Sequence, residues 1–211
     1  MSWITRYQAG NNILKQTDAQ SCGYCCVGMI VNLLDVTNFQ TEESLKIAGE
    51  RVDSGGGAYD RATADRPGLV KMVGADEMMK NLGTKVSVGS GTDGIHLAKL
   101  LKREYSIDAT YHAGTVAEMK TAMRAANAKH PMIVAVEWAG GSGHWVVVSG
   151  RSTGGWGSAS DYTILDPSGH RVINKGSTNY VAENKSKGKF GGYYITVNGK
   201  LAMAKGPKVM M

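Results

Sequence analysis

The residue types best suited to chemistry in this chain are a cysteine, a histidine and an aspartate that lie far apart in sequence. All three cysteines, Cys22, Cys25 and Cys26, fall within five positions. From Cys22 the apolar positions run Cys22, Cys25, Cys26, Met29, Ile30, Leu33 and Leu34, the spacing of one helical face. Ser21 stands where an N-cap belongs, which puts Cys22 in the first turn, where backbone N–H groups lack helical partners. A thiol is a useful nucleophile at neutral pH only as thiolate, and a helix N-terminus with a nearby imidazolium favours that anion. Cys25 and Cys26 fit instead as small apolar residues on a buried face. Gly23 leaves room for a substrate chain to approach Cys22. Read as a C-x-x-C, Cys22 and Cys25 lack the second ligand pair of a zinc site and the βαβ surroundings of a thioredoxin-like dithiol.

A nucleophilic cysteine needs a base. His144 opens the run HWVVVSG directly after the turn GGSG, so its side chain sits at a strand end, where it can face a cleft. Pairing that strand with the segment around 161–167, with Ser149 opposite Asp161, sets His144 opposite Asp166. Directly paired residues share a face with Cβ atoms about 5 Å apart, which suits a carboxylate that orients an imidazole. Without Cys22, a strand histidine and a turn-forming Asp-Pro would be the plainer reading. His96 and His112 lie in or beside amphipathic segments with no matching acid, and His130 precedes a proline. His170, in the turn DPSGH four residues after Asp166, is the rival base, although a surface turn residue describes it better.

The elements that must position these groups are helical first and extended second. Helices are expected from Cys22, after Pro67 (carrying Leu69, Met72, Val73 and Met79), over Gly94–Tyr105 and over Thr115–Ala128. Thr115 and Glu118 have capping-box spacing. Strands are expected over Met132–Trp138, His144–Gly150, Asp161–Pro167 and Tyr193–Asn198. The class is therefore α+β, one domain over 1–211. Residues 14–130 are its mainly helical part, 131–198 its antiparallel sheet and 199–211 a loosely ordered tail. The 211 residues, 42% of them hydrophobic and 20% charged, suffice for a real core. The formal charge of +6 is spread along the chain without an aromatic-interleaved basic tract, which argues against nucleic acid. It suits an acidic protein partner equally well. No apolar run approaches a membrane span, and the start MSWITRYQAGNN lacks a secretory h-region, so synthesis in the cytoplasm is expected.

The segment Gln16–Ile30, QTDAQSCGYCCVGMI, resembles the nucleophile motif of papain-like cysteine peptidases. It is most similar to the bacterial peptidases that remove double-glycine leaders from bacteriocins. Gln16, Cys22, Gly23, Cys26 and Met29 match that motif, His144 in HWVVV resembles the family's histidine, and Asp166-Pro167 its Asp-Pro. Ser21 stands where the family often has Asp. The resemblance covers most of residues 14–170 and leaves 171–211 without a counterpart.

The resemblance implies a papain-like fold with the nucleophile at a helix N-terminus, and a triad of Cys22, His144 and Asp166. It also implies an oxyanion hole made by Gln16 and the Cys22 backbone N–H, no metal or organic cofactor, and a protein or peptide substrate cut after small residues such as Gly-Gly. The substrate-binding residues stay open. A small basic peptidase also resembles effector domains that bacteria deliver into competitors or hosts through dedicated secretion systems. Such domains need an immunity or inhibitor protein. The same triad would also serve a protein deamidase, a transglutaminase or a peptidoglycan amidase, and a catalytically silent binding module could keep the fold.

Overall fold

Along Met132–Trp138, Met132, Val134 and Val136 enter one buried cluster and Ile133 another, the two-residue period of a strand covered on both faces. The computed structural model describes residues 3–5, 11–52, 92–138, 142–151, 162–170, 172, 179–182, 184 and 187–200. Over these the chain is α+β, with four helices and a six-stranded antiparallel sheet.

Strands β1 (Trp3–Thr5) and β2 (Asn12–Leu14) form a separate two-stranded ribbon. Helix α1 (Cys22–Leu34) follows, then helical residues 42–52 (α2) and α3 (Gly94–Tyr105). Next come β3 (Ile107–Ala113), α4 (Val116–Ala125), β4 (Met132–Trp138), β5 (Gly143–Arg151), β6 (Tyr162–Leu165), β7 (Asn179–Val181) and β8 (Lys187–Lys200). The sheet order is β3-β8-β4-β5-β6, with β7 also pairing β8. On one face, Met29 and Ile30 of α1, Leu45 of α2 and Leu97 and Leu101 of α3 pack with Ile133, Val147 and Ile195. On the other, Met119 and Met123 of α4 pack with Val134, Val146, Val148 and Tyr180.

Several expectations from the sequence meet their elements. Helix α1 begins at Cys22, Thr115 and Glu118 close a reciprocal capping box, and Asp93 caps α3 by accepting from the Ile95 N–H at 3.1 Å. Other expectations need correction. Ser21 makes no cap bond; its hydroxyl turns back and donates to the Asp18 carbonyl at 2.8 Å. Helix α4 stops at Ala125, not Ala128, because Ala126 is extended and Asn127 and His130 bridge in a turn. Gly23 is buried, and a Cβ there would lie 2.9 Å from Leu97 Cδ1 and 3.1 Å from Thr92 Cβ. That glycine lets α3 approach α1; its Cα side faces protein and not a substrate chain.

The segment between α3 and α4 is strand β3, so the stretch read as mainly helical contributes a sheet edge. The last strand is longer than Tyr193–Asn198. It begins at Lys187 and runs through Gly191 and Gly192, with a register shift against β4 between Val134 and Val136. Lys200, assigned to the tail, ends that strand with its Nζ 3.3 Å from Asp35. The helix expected after Pro67 and residues 201–211 lie outside the described residues. Among the described residues, no helix is long and apolar enough to cross a membrane.

Gly192 has φ of +85°, and a Cβ there would meet the Gly114 carbonyl oxygen at 2.5 Å. Both the left-handed backbone and the clash with main chain penalise a side chain. Gly192→Ala is expected to lower stability by about 2–3 kcal/mol, read as a lower urea midpoint at unchanged m-value.

Candidate active site

Cys22 lies at the start of α1, and of the three cysteines only Cys22 lines the cleft of about 450 Å³ that also holds Gln16, His144 and Asp166. Cys25 and Cys26 point into the core beneath it. Burial pushes the Cys25 thiol up to about 12 and raises Cys26 well above the usual thiol range. The helix therefore presents one thiol to the cleft and uses the next two as packing.

His144 is the second residue of β5. Its Nε2 lies 2.7 Å from Asp166 Oδ1, and its other polar neighbour is the Cys22 thiol. With Nε2 committed to the carboxylate, Nδ1 is the nitrogen left to exchange a proton with Cys22. The three groups are 3%, 7% and 1% exposed, in the order Cys22, His144, Asp166, so any charge there must be met by a partner. Burial opposes the imidazolium, but the hydrogen bonds to Asp166 and Cys22 outweigh it and raise His144 to about 9. Burial likewise opposes the Asp166 carboxylate, yet bonds from His144, Tyr180 and the Ser168 N–H hold its pKa below the ordinary value.

The register that brings them together differs from the expected one by two residues. Val147 pairs with Leu165 and Val148 with Ile164, and a bulge follows before Gly150 pairs with Thr163. Continued past the end of β6, that register sets Asp166 beside Val146, diagonal to His144. A slip of two preserves the face because side chains alternate with period two, so the pair still meets. The backbone N–H of Gln16 donates to the Pro167 carbonyl at 2.8 Å and ties the loop before Cys22 to the Asp-Pro turn.

Gln16 lines the cleft with its Nε2 donating to the Asp18 carbonyl at 3.1 Å, while its Oε1 is buried without a hydrogen-bond partner. One amide hydrogen remains for another acceptor. His170 also lines the cleft, but the contact to Asp166 belongs to His144. His96 contacts the Tyr24 hydroxyl, His112 bonds Thr196 and stacks on Tyr194, and His130 is exposed in its turn.

Two residues of the site have no place in the reading of the sequence. Tyr180 of β7 is fully buried and donates its hydroxyl to Asp166 Oδ2. Trp138, at the end of β4, stacks on the His144 ring at 5.5 Å and meets Tyr180 edge-on. Tyr180 falls in a three-residue strand of the 171–211 stretch, too short for periodicity to show. Trp138 could have been found as the aromatic that ends β4, shortly before His144 in the sequence. Among the described residues, no group of three or more His, Cys, Asp or Glu side chains is placed to hold a metal.

Comparison with models of known protein families and with curated protein sequences finds no match. The arrangement itself can do proton transfer between a buried thiol and a buried imidazole, with the imidazole oriented by a carboxylate.

The imidazolium is held above its ordinary 6.5. Its stabilising contribution is complete below about pH 6.5 and is lost as pH rises through about 9. Tyr180→Phe removes one donor to Asp166, which leaves more of the carboxylate's negative charge for the imidazolium. The NMR titration profile of the His144 imidazole is expected to move to higher pH than in wild type. An unchanged profile in folded Tyr180→Phe would show that the phenol has no part in the relay.

Proposed function

We propose that the chain is a cysteine peptidase of papain-like design, with Cys22 as nucleophile, His144 as general base and acid, and Asp166 as the group that orients His144. The observation that carries this reading is the sharing of one imidazole, Nε2 on Asp166 and the remaining nitrogen toward a thiol at a helix N-terminus. The helix dipole and the imidazolium both favour thiolate. In the proposed cycle the Cys22 thiolate adds to a peptide carbonyl, and the oxyanion is met by the Cys22 backbone N–H and the free amide hydrogen of Gln16. His144 then delivers its proton to the leaving amine, and water releases the acyl group by the reverse path. Trp138 covers one face of the His144 ring.

Cleavage after Gly-Gly, and the role of a toxin or effector domain held in check by an immunity protein, follow from the family resemblance. They belong to the proposal on that ground. The same site would serve a thiol-dependent deamidase, transglutaminase or amidase, since acyl transfer fixes the nucleophile and not the acceptor.

New protein N-termini in a bacterial lysate treated with wild type, absent with Cys22→Ala, are the expected result by mass spectrometry. The residues preceding each cut test the Gly-Gly preference. Deamidated or cross-linked glutamines without new termini would replace the peptidase by another acyl transferase. Expression in a bacterial cytoplasm is expected to be toxic for wild type and harmless for Cys22→Ala; harmless active enzyme would count against the effector role.

A further inference from the structure

The loop that carries Gln16 and leads into Cys22 has no apolar anchor. Lys15 and all of Thr17–Gln20 are exposed, and Gln16 is half-buried. Its shape must come from polar ties; besides the Gln16 N–H bond to the Pro167 carbonyl, several of these converge on one buried carboxylate outside the triad. Glu42, the first residue of α2, is 7% exposed. Its Oε2 accepts from the Thr17 N–H and the Thr17 hydroxyl, both at 2.7 Å, and its Oε1 from the Asp18 N–H at 3.2 Å. Lys46, one turn along α2, lies 3.2 Å from Glu42 and 3.2 Å from Asp18, closing the clamp from the solvent side.

The clamp reaches the chemistry through the backbone of Asp18, and Glu42 is also a hydrogen-bond neighbour of the Ser21 side chain. With its N–H held by Glu42, Asp18 turns its carbonyl toward two neighbours, the Gln16 Nε2 at 3.1 Å and the Ser21 hydroxyl at 2.8 Å. The first is the amide proposed to meet the oxyanion; the second belongs to the residue preceding Cys22. Glu42 sits behind this loop and does not line the cleft, so it touches neither thiol nor substrate.

We infer that Glu42 is a positioning residue for the oxyanion hole, acting through the backbone of Asp18 on the Gln16 amide, an inference that rests on Cys22 being the nucleophile. Charge-assisted bonds from two successive backbone N–H groups are strong and directional, and a carboxylate at the first turn of α2 also gains from that helix's dipole. A glutamine at this site keeps one accepting oxygen but turns an NH2 toward an N–H donor. The peptide between Thr17 and Asp18 then loses its fixed plane, and the Asp18 backbone beyond it loses its set direction.

The experiment compares two reactions of the same thiol in the full chain. Alkylation by iodoacetamide at pH 5.5 displaces iodide at a saturated carbon and builds no oxyanion. Acylation by N-benzyloxycarbonyl-glycine p-nitrophenyl ester passes through a tetrahedral oxyanion and expels p-nitrophenolate. Glu42→Gln is expected to alkylate within about twofold of wild type while its acylation rate falls about 10–100-fold, approaching the effect of losing one oxyanion donor. Gln16→Ala should reproduce that split, and the double variant Gln16→Ala/Glu42→Gln should be no slower in acylation than Gln16→Ala alone. Equal losses in both reactions, or none in either, would overturn the positioning role of Glu42. So would additive losses in the double variant. A wild type that is not alkylated at Cys22 at this pH would sink the nucleophile reading itself, a failure distinct from any of these.

Discussion

The hydrogen bond between His144 and Asp166 is the constraint around which the rest is arranged. Both side chains are buried, and an ionised carboxylate in such a place survives only if every lone pair finds a donor. Asp166 finds them from three directions: the imidazole of β5, the phenol of β7 and the Ser168 N–H of its own turn. Each donor comes from a different part of the chain, so the carboxylate is satisfied only when the sheet has closed around it. The ring stack of Trp138 on His144 adds a fourth wall. Loss of Asp166 alone would leave an imidazolium buried without its partner, whereas loss of His144 would leave the carboxylate so. Groups of this kind act as a unit and their deletions do not add.

Much of this was legible in the residues. Periodicity located α1 and its first turn, the Thr115 and Glu118 pair announced α4, and the valine-rich run with a histidine at its head identified β5. The pairing of His144 with Asp166 also emerged, although from a register displaced by two residues. It came out correctly because displacement by an even number keeps a side chain on its face. What periodicity could not supply was anything dependent on contacts distant in sequence. Strand β7 is three residues long, Gly191 and Gly192 look like a terminator, and Glu42 opens a helix whose partner loop lies some two dozen residues earlier. Gly23 shows the opposite error, a residue assigned to function because of its neighbour and found to serve packing.

Helix α1 also shows how adjacent, identical side chains acquire different chemistry. Cys22 and Cys26 are separated by about one turn, yet one borders a cleft beside an imidazole and the other is sealed among leucines and valines. The difference is one of depth along the helix axis, since the end of a helix is the one place where its backbone donors remain uncommitted. A helix that must carry a reactive group on an otherwise apolar face has only that position to offer.

Strand β8 pairs with β3, β4 and β7, and these partners precede it in the chain. During synthesis, then, the strand that joins β3 to β4 emerges after both of them, and Tyr180 leaves the ribosome shortly before it. Until residue 200 or so is available, β3 and β4 have no common neighbour and the nascent chain holds an incomplete sheet. The Cys22 thiol is made early and its surroundings are completed late. A ribosome-bound intermediate of this protein therefore carries Cys22 in an unfinished setting, and the order of translation itself sets when its neighbours arrive.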